Sequence, residues 1–402
     1  MTLPLWLLIV SCVLCAIPLA VTIANLRVYR KAVDGPPSDP DARVFVCVPA
    51  RDEAANLEPC VRTLLAQDHP SVRVLVYDDQ STDGTGEILA RLAAEDARVI
   101  PVPTHTLPDG WNGKQHGCWR MARAAMEGLT RADGTDEPAM HADERLLFTD
   151  ADVRFEPDAV RRAVAEAERL EAPLLSGFPR QLTGTPAEAA LVPMMFYLLL
   201  GYLPMWRMRT TLDPSTSAGC GQFILVTRAA YEASGGHESV RDSMHEGVKL
   251  PRAVRRAGLK TDLFDASDIC SVRMYRGLSE TWRGFTKNAY EGLGSVGLLV
   301  FMTVLHVVGH ALPWIVVLGS LGGAVDATGA AVALSILAIG LQLTQRVLIA
   351  RRVGHAWSGA ALHIVGIVGM TVIQWHSYVL HLLGRRTWRG RTAGAVTGSG
   401  TA

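Results

Sequence analysis

Apolar and polar positions follow different periods in three parts of the chain. Residues 3–26 carry no charged side chain, and Arg27, Arg30 and Lys31 come directly after. An uncharged run of that length spans the hydrocarbon core of a bilayer, and its basic flank places the succeeding residues on the cytoplasmic side. With no basic leader ahead of the run, residues 1–27 read as an uncleaved membrane anchor rather than a signal peptide. Residues 28–42 are a linker by composition, with Pro36, Pro37 and Pro40 among Asp34, Ser38 and Asp39.

From residue 43 short apolar runs alternate with amphipathic segments. Residues 44–48 predict a buried strand ended by Pro49, and residues 54–67 a helix with Leu57, Val61, Leu64 and Leu65 on one face. Residues 72–77 predict a second strand, residues 86–94 a helix capped by Asp83, and residues 98–102 a third strand. Leu146, Leu147 and Phe148 predict another, with a helix starting near Glu156-Pro157-Asp158. This alternation predicts an α/β domain over residues 43–290, a doubly wound and mostly parallel sheet that binds ligands beyond the carboxyl ends of its strands.

Residues 187–206 are apolar but interrupted by Pro193 and Pro204 and closed by Arg207 and Arg209. A crossing there would put Glu246 on the opposite side of the membrane from Asp150, so an interfacial helix or a buried core helix is expected. Apolar segments at 292–324, 330–348 and 357–383 predict transmembrane helices over residues 291–384. Asp326 turns the first pair, and Arg346, Arg351 and Arg352 lie on the cytoplasmic return. A third full crossing would leave Arg385, Arg386, Arg389 and Arg391 outside, against the positive-inside bias, so either that segment is re-entrant or one of the apolar segments is interfacial. His306 and His310 share a helical face, but without a third ligand they read as packing residues. Residues 385–402 form a Gly/Ala/Thr-rich tail.

Composition sharpens this picture. Only 19% of residues are charged and mean hydropathy is +0.18, with the apolar excess at the two ends. The chain is therefore expected to be a multi-pass cell-membrane protein with a polar, cytoplasmic middle. Basic and acidic residues balance at 39 each, which argues against nucleic acid as a partner. The seven cysteines are scattered singly, as in a reduced compartment.

Candidate chemistry sits where strands end. Asp150 and Asp152 come after an apolar run, and two hard oxygen ligands at such an edge suit Mg²⁺ or Mn²⁺ completed by substrate phosphate. Upstream lie Val48-Pro49-Ala50-Arg51-Asp52-Glu53 and Asp78-Asp79-Gln80-Ser81-Thr82-Asp83-Gly84-Thr85. In order and spacing these three motifs resemble the family 2 inverting glycosyltransferases. The resemblance implies a nucleotide-sugar-binding domain of the glycosyltransferase A type. In it Pro49, Ala50, Arg51 and Glu53, with Asp78 or Asp79, hold base and ribose, and Asp150 and Asp152 hold a metal bound to the donor diphosphate. Lys114, after the turn Pro108-Asp109-Gly110-Trp111-Asn112-Gly113, matches a lysine that members carry, which implies a diphosphate contact. Trp111 beside it suits stacking on sugar or lipid, or burial.

Members of the family also keep an acidic pair for the base. Here Glu246 stands alone, with Gly247 in the usual second place, so Glu246 is the candidate general base, Asp242 an alternative, and His245 a partner or a structural residue. Gly219-Cys220-Gly221-Gln222 is placed on the acceptor side. The Gln-x-x-Arg-Trp motif of processive synthases is replaced by Glu280-Thr281-Trp282-Arg283. The expected function is metal-dependent, inverting transfer of a single sugar from a nucleotide-diphosphate sugar to the hydroxyl of a lipid acceptor in the bilayer. The alternatives are a processive polysaccharide synthase and a non-catalytic nucleotide-sugar-binding module.

Overall fold

Seven short runs build one sheet: β1 Val44–Ala50, β2 Val72–Asp78, β3 Val99–Pro101, β4 Arg145–Phe148, β5 Leu174–Phe178, β6 Ile224–Thr227 and β7 Thr261–Asp265. Their order is β7-β5-β6-β4-β1-β2-β3. Every neighbouring pair is parallel except the two made by β6, which runs antiparallel to β4 and β5. The strands read as continuous apolar runs because both faces are covered: Phe45, Val46, Cys47, Val48, Leu146 and Leu147 are all fully buried. The computed structural model describes residues 4–385 and the backbone of Thr387–Trp388 and Arg391–Thr392. The sheet lies in one of two units, formed by Lys31–Arg180 and Arg207–Val272.

Local differences from the pattern-based expectation have physical causes. β1 runs past Pro49 to Ala50, because β4 pairs with β1 only as far as Cys47 opposite Phe148. The missing N–H of Pro49 therefore breaks no ladder bond. The helix expected from residue 54 begins at Leu57, since Asp52 adopts φ +52° and the residues around it are tied to the next loop. After Asp152 the strand Val153–Phe155 pairs antiparallel with Cys270–Val272, and the helix begins only at Ala159.

The second unit combines Met1–Arg30, Gln181–Trp206 and Arg273–Leu382. Among the described residues, four helices are long and apolar enough to cross a membrane: Leu5–Val28, Val296–Leu321, Gly329–Val353 and His363–Leu382. Residues 187–206 do not form one continuous helix. They break at the prolines into Pro186–Leu191 and Met194–Tyr202, with Met194, Phe196, Tyr197 and Leu200 buried within this unit. Asn25 fastens the end of that segment, donating to the Leu200 and Leu203 carbonyls at 2.8 and 2.7 Å.

Within Val296–Leu321 the stretch Leu305–Ala311 is a π-helix. Pro313 has no N–H for the Gly309 carbonyl, and the Leu312 N–H reaches back to Val307. Two carbonyls are thereby released. Ser11 Oγ donates to Val308 O at 2.6 Å, while Gln342 Nε2 and Cys15 Sγ both reach Gly309 O at 3.1 Å. In a hydrocarbon setting such freed carbonyls need partners, and the neighbouring helices supply them.

Candidate functional site

Two loops at the carboxyl ends of β1 and β2 lock together. Asp52 accepts from the Thr82 N–H at 2.9 Å, Ser81 Oγ accepts from the Asp52 N–H at 2.9 Å, and Asp83 accepts from the Ala54 N–H at 2.9 Å. Asp79 donates its N–H to Ala50 O at 2.8 Å, and Arg51 donates to the Asp79 carbonyl at 2.5 Å. Asp78 accepts from both the N–H and the hydroxyl of Ser81. Pro49, Ala50, Arg51, Glu53, Asp78 and Asp79 thus form one rigid rim, braced by hydrogen bonds that local sequence cannot specify.

The centre of the site lies at the next strand end. Helix Gly113–Glu127 is capped by Asn112, whose side chain accepts from the Lys114 N–H. The Asn112 N–H in turn donates to Arg241 O at 2.7 Å, tying this helix start to the loop before Glu246. Lys114 Nζ sits 2.6 Å from Asp150 Oδ1 and 2.5 Å from Glu246 Oε1. Burial alone would lower the Lys114 pKa, but the charges of Asp150 and Glu246 outweigh it and hold it well above the ordinary lysine value. Burial would raise Glu246, yet Lys114, aided by the hydrogen bond from Gln115, pulls it down to about 2.

Gln115 is a residue that motif reading missed. It is buried and donates Nε2 to Glu246 Oε2 at 3.0 Å, so the two oxygens of Glu246 are each held by a neighbouring residue of one helix start. Its adjacency to Lys114 was the available signal; only the fold turns both toward Glu246. The departure at Gly247 also gains a cause. A Cβ there would lie 2.6 Å from Gly219 O, and one on Gly221 would lie 2.3 Å from Glu246 Oε1. Backbone packs where a second acid would stand. Ser176 accepts from the Cys220 N–H at 2.8 Å, and Thr149 donates to Gln222 O at 2.8 Å, fixing residues 219–222 beside Asp150. Asp242 is exposed, and Trp111 packs against Trp119 with ring centroids 5.3 Å apart.

The residues at Asp150 and Asp152 fit a divalent cation. Asp152 Oδ1 is sealed from solvent without a hydrogen-bond partner. Burial, then the charges of Asp150 and Glu53, push the Asp152 carboxyl up to about 7. A cation would supply the opposite charge this carboxylate lacks. Among the described residues no group of three or more His, Cys, Asp or Glu side chains gathers as a metal cage. The remaining ligands would then be substrate phosphate and water, the usual habit of Mg²⁺ and Mn²⁺.

A mostly parallel sheet with one reversed strand, and acidic loops at its carboxyl edge, is the arrangement of the glycosyltransferase A fold. Residues 45–234, just under half of the chain, match the family described as Glycosyl transferase family 2. It is similar to the 4,4'-diaponeurosporenoate glycosyltransferase of Staphylococcus aureus (strain USA300), 28% identical over 255 residues that make up 62% of this chain and 61% of that relative. The corresponding protein of strain MRSA252 is 27% identical over the same coverage. The aligned region thus spans about three-fifths of these relatives' length. Among solved structures, the mannosyltransferase PcManGT from Pyrobaculum calidifontis, in complex with GDP-Man and Mn²⁺, shares the fold at TM-score 0.53 and 18% identity, over 94% of this chain and 99% of that one.

Proposed function

We propose that this protein transfers a single sugar from a nucleotide-diphosphate sugar to a membrane lipid, with inversion at the anomeric carbon and with Mg²⁺ or Mn²⁺. The observation that supports this reading is Lys114 joining Asp150 to Glu246, the residues read as the donor-phosphate side and the acceptor side. The rim of Pro49, Ala50, Arg51, Glu53, Asp78 and Asp79 holds the nucleoside, with carboxylate and carbonyl acceptors for its N–H and O–H donors. Asp150 and Asp152 would hold the metal, which would supply positive charge toward the diphosphate leaving group. The name of the S. aureus relatives, 4,4'-diaponeurosporenoate glycosyltransferase, and the PcManGT complex with GDP-Man and Mn²⁺ support the donor, metal and acceptor classes.

Glu246 as found is latched, since Lys114 and Gln115 occupy its oxygens and its pKa of about 2 makes it a weak base. A bound diphosphate competes for Lys114 by charge. As Lys114 turns to the phosphate, Glu246 loses its cation and regains basicity. It then takes the proton of the acceptor hydroxyl while that oxygen attacks the anomeric carbon. The bond to the diphosphate breaks, and the leaving group keeps the electron pair.

The latched Glu246 also favours a second reading. A carboxylate acceptor has no proton to surrender and needs no base, and the S. aureus relatives are named for a carboxylate, a diaponeurosporenoate. The product would then be a glycosyl ester instead of a glycoside. A processive synthase is disfavoured, because Glu280, Thr281, Trp282 and Arg283 stand in place of the synthase motif. The proposed setting is a multi-pass membrane protein with the sheet-bearing unit in the cytoplasm, argued from the basic residues that come after the first helix and end Gly329–Val353.

The test is incorporation of label from a panel of nucleotide sugars into organic-extractable lipid, with membranes carrying the protein or its Asp150→Asn variant, with metal or chelator. Labelled lipid that needs both Asp150 and metal supports the reading; its cleavage or survival in hydroxylamine separates ester from glycoside. Label in insoluble polymer instead would sink single-sugar transfer.

A further inference from the structure

We propose that the helical unit contains a binding site for an anionic group, the phosphate or carboxylate of a membrane lipid, formed by Arg346, His355 and His363. The proposal does not rest on the transfer reaction. Arg346 stands inside Gly329–Val353, seven residues before its end or about 10 Å along the helix, and is only 3% exposed. A buried arginine in a membrane-spanning helix requires an opposite charge or a full set of acceptors. Arg346 has neither among the described residues. One nitrogen donates to Gly359 O at 2.9 Å, Nε has no partner, and no carboxylate pairs with it.

Arg255 of the sheet-bearing unit, 2% exposed, shows what a purely structural buried arginine looks like here. It donates to Thr261 Oγ1 at 2.7 Å, to Thr211 O at 2.7 Å, to Met208 O at 2.6 Å and to Thr261 O at 2.9 Å. Nor is Glu188, a buried carboxylate in the same unit as Arg346, free to serve it. The N–H groups of Gly184 and Gly277 at 2.7 Å, the Thr185 hydroxyl at 2.8 Å and Arg273 at 3.2 Å already occupy it.

Two histidines bring further unused donors to the same charge. Both ring nitrogens of His355 are buried without partners, with the ring 5.0 Å from that of Phe196. His363 is fully buried and ends a hydrogen-bonded chain. Tyr197 OH lies 3.2 Å from His310 Nε2, His310 Nδ1 lies 3.3 Å from His363 Nε2, and His363 Nδ1 has no partner. If Tyr197 donates along this chain, each ring passes its proton outward and His363 Nδ1 is left as a bare N–H donor. Gly359, whose carbonyl Arg346 holds, lies four residues from each histidine, and His355 and His363 pack against the adjacent rings of Phe196 and Tyr197 at 5.0 and 5.2 Å. The cluster has one fixed positive charge and no carboxylate among the described residues, and each histidine can present an N–H, which matches a phosphate or carboxylate. Basic pockets between membrane helices near the cytoplasmic face are places where lipid head groups bind. Outward-facing Leu337, Val365 and Val368 are exposed apolar side chains on the same helices, which favours an anion carried by a lipid over one from solution.

The full chain, purified in a maltoside detergent, is titrated with phosphatidylglycerol, oleate or inorganic phosphate, and the unfolding midpoint and bound lipid by native mass spectrometry are recorded. Phosphatidylglycerol or oleate should raise the midpoint of the unaltered protein and remain bound, which of the two does so identifying phosphate or carboxylate. Binding should weaken about tenfold or more in Arg346→Gln and partly in Arg346→Lys. His355→Gln, which leaves the Arg346 contact with Gly359 in place, should also weaken it, and it carries the comparison if Arg346→Gln fails to fold. An equal lipid response in the unaltered protein and these variants would overturn the site, and inorganic phosphate matching the lipids would overturn its assignment to a lipid.

Discussion

In the sheet-bearing unit several buried charges meet opposite charges, whereas in the helical unit several buried polar groups meet backbone carbonyls. Glu137, 2% exposed, is surrounded by Arg43 at 2.9 Å, Arg73 at 2.7 Å and Arg131, and Lys114 is held by two carboxylates. In the helical unit Ser11, Asn25 and Gln342 instead serve carbonyls of neighbouring helices, some of them released by Pro313 and the π-helix. Desolvated charge is expensive in either setting, but near hydrocarbon no water is at hand to soften an imperfect pair, so neutral donors suit the second unit. Against these habits two groups stand out, Asp152 in the first unit and Arg346 in the second. Asp152 Oδ1 has no hydrogen-bond partner, and Arg346 keeps one carbonyl contact while its Nε has none; each is proposed to mark a place for something the chain does not itself supply.

The largest effect should come from Asp152. Asp152→Asn should lower sugar transfer by about a thousandfold or more, while raising the thermal unfolding midpoint without metal, because an unpartnered buried carboxylate disappears. Near-native transfer would break the metal assignment; a lowered midpoint would show that Asp152 is structurally satisfied. Next, Glu246→Gln should cut kcat for a hydroxyl acceptor by about 10²–10⁴ with donor KM little changed. A loss below about tenfold would shift the acceptor to a carboxylate.

Gln342→Leu tests the other unit. It strands the Trp314 indole N–H, which donates to Gln342 at 3.0 Å, and leaves Gly309 O only the weak Cys15 thiol donor, and should cost about 1–3 kcal/mol in unfolding experiments. The metal affinity of the sheet-bearing unit should stay the same. Acid should act through Glu246: its folded pKa of about 2 lies below the ordinary glutamate value of 4.5. The stability it contributes is therefore present above 4.5 and lost as pH falls toward about 2. Glu246→Gln should flatten that part of the stability profile. The smallest effect belongs to the exposed network of Glu58, Arg62, Arg91 and Glu95, where Glu58→Gln should leave the unfolding midpoint unchanged within error at moderate salt.

Much of the architecture was legible in one dimension because it rests on period and composition. Uncharged runs of span length, the alternation of apolar strands with amphipathic helices, and acidic motifs at strand ends are local properties of the chain. They were enough to anticipate the mostly parallel sheet and the helices long and apolar enough to span a membrane. Asp79, Asp150 and Glu246 could be singled out as chemistry at the edges of elements. Other features were set by contacts between residues distant in sequence. The hydrogen bonds between residues 52–54 and 81–83, the latch of Lys114 and Gln115 on Glu246, and the backbone packing at Gly247 each join separate loops. The packing of residues 187–206 with the membrane-length helices, and the isolation of Arg346, likewise depend on neighbours brought in from elsewhere in the chain or on the lack of one. Period and composition report how a segment relates to water or lipid; which polar group finds a partner depends on three-dimensional proximity, and only the tertiary structure decides that.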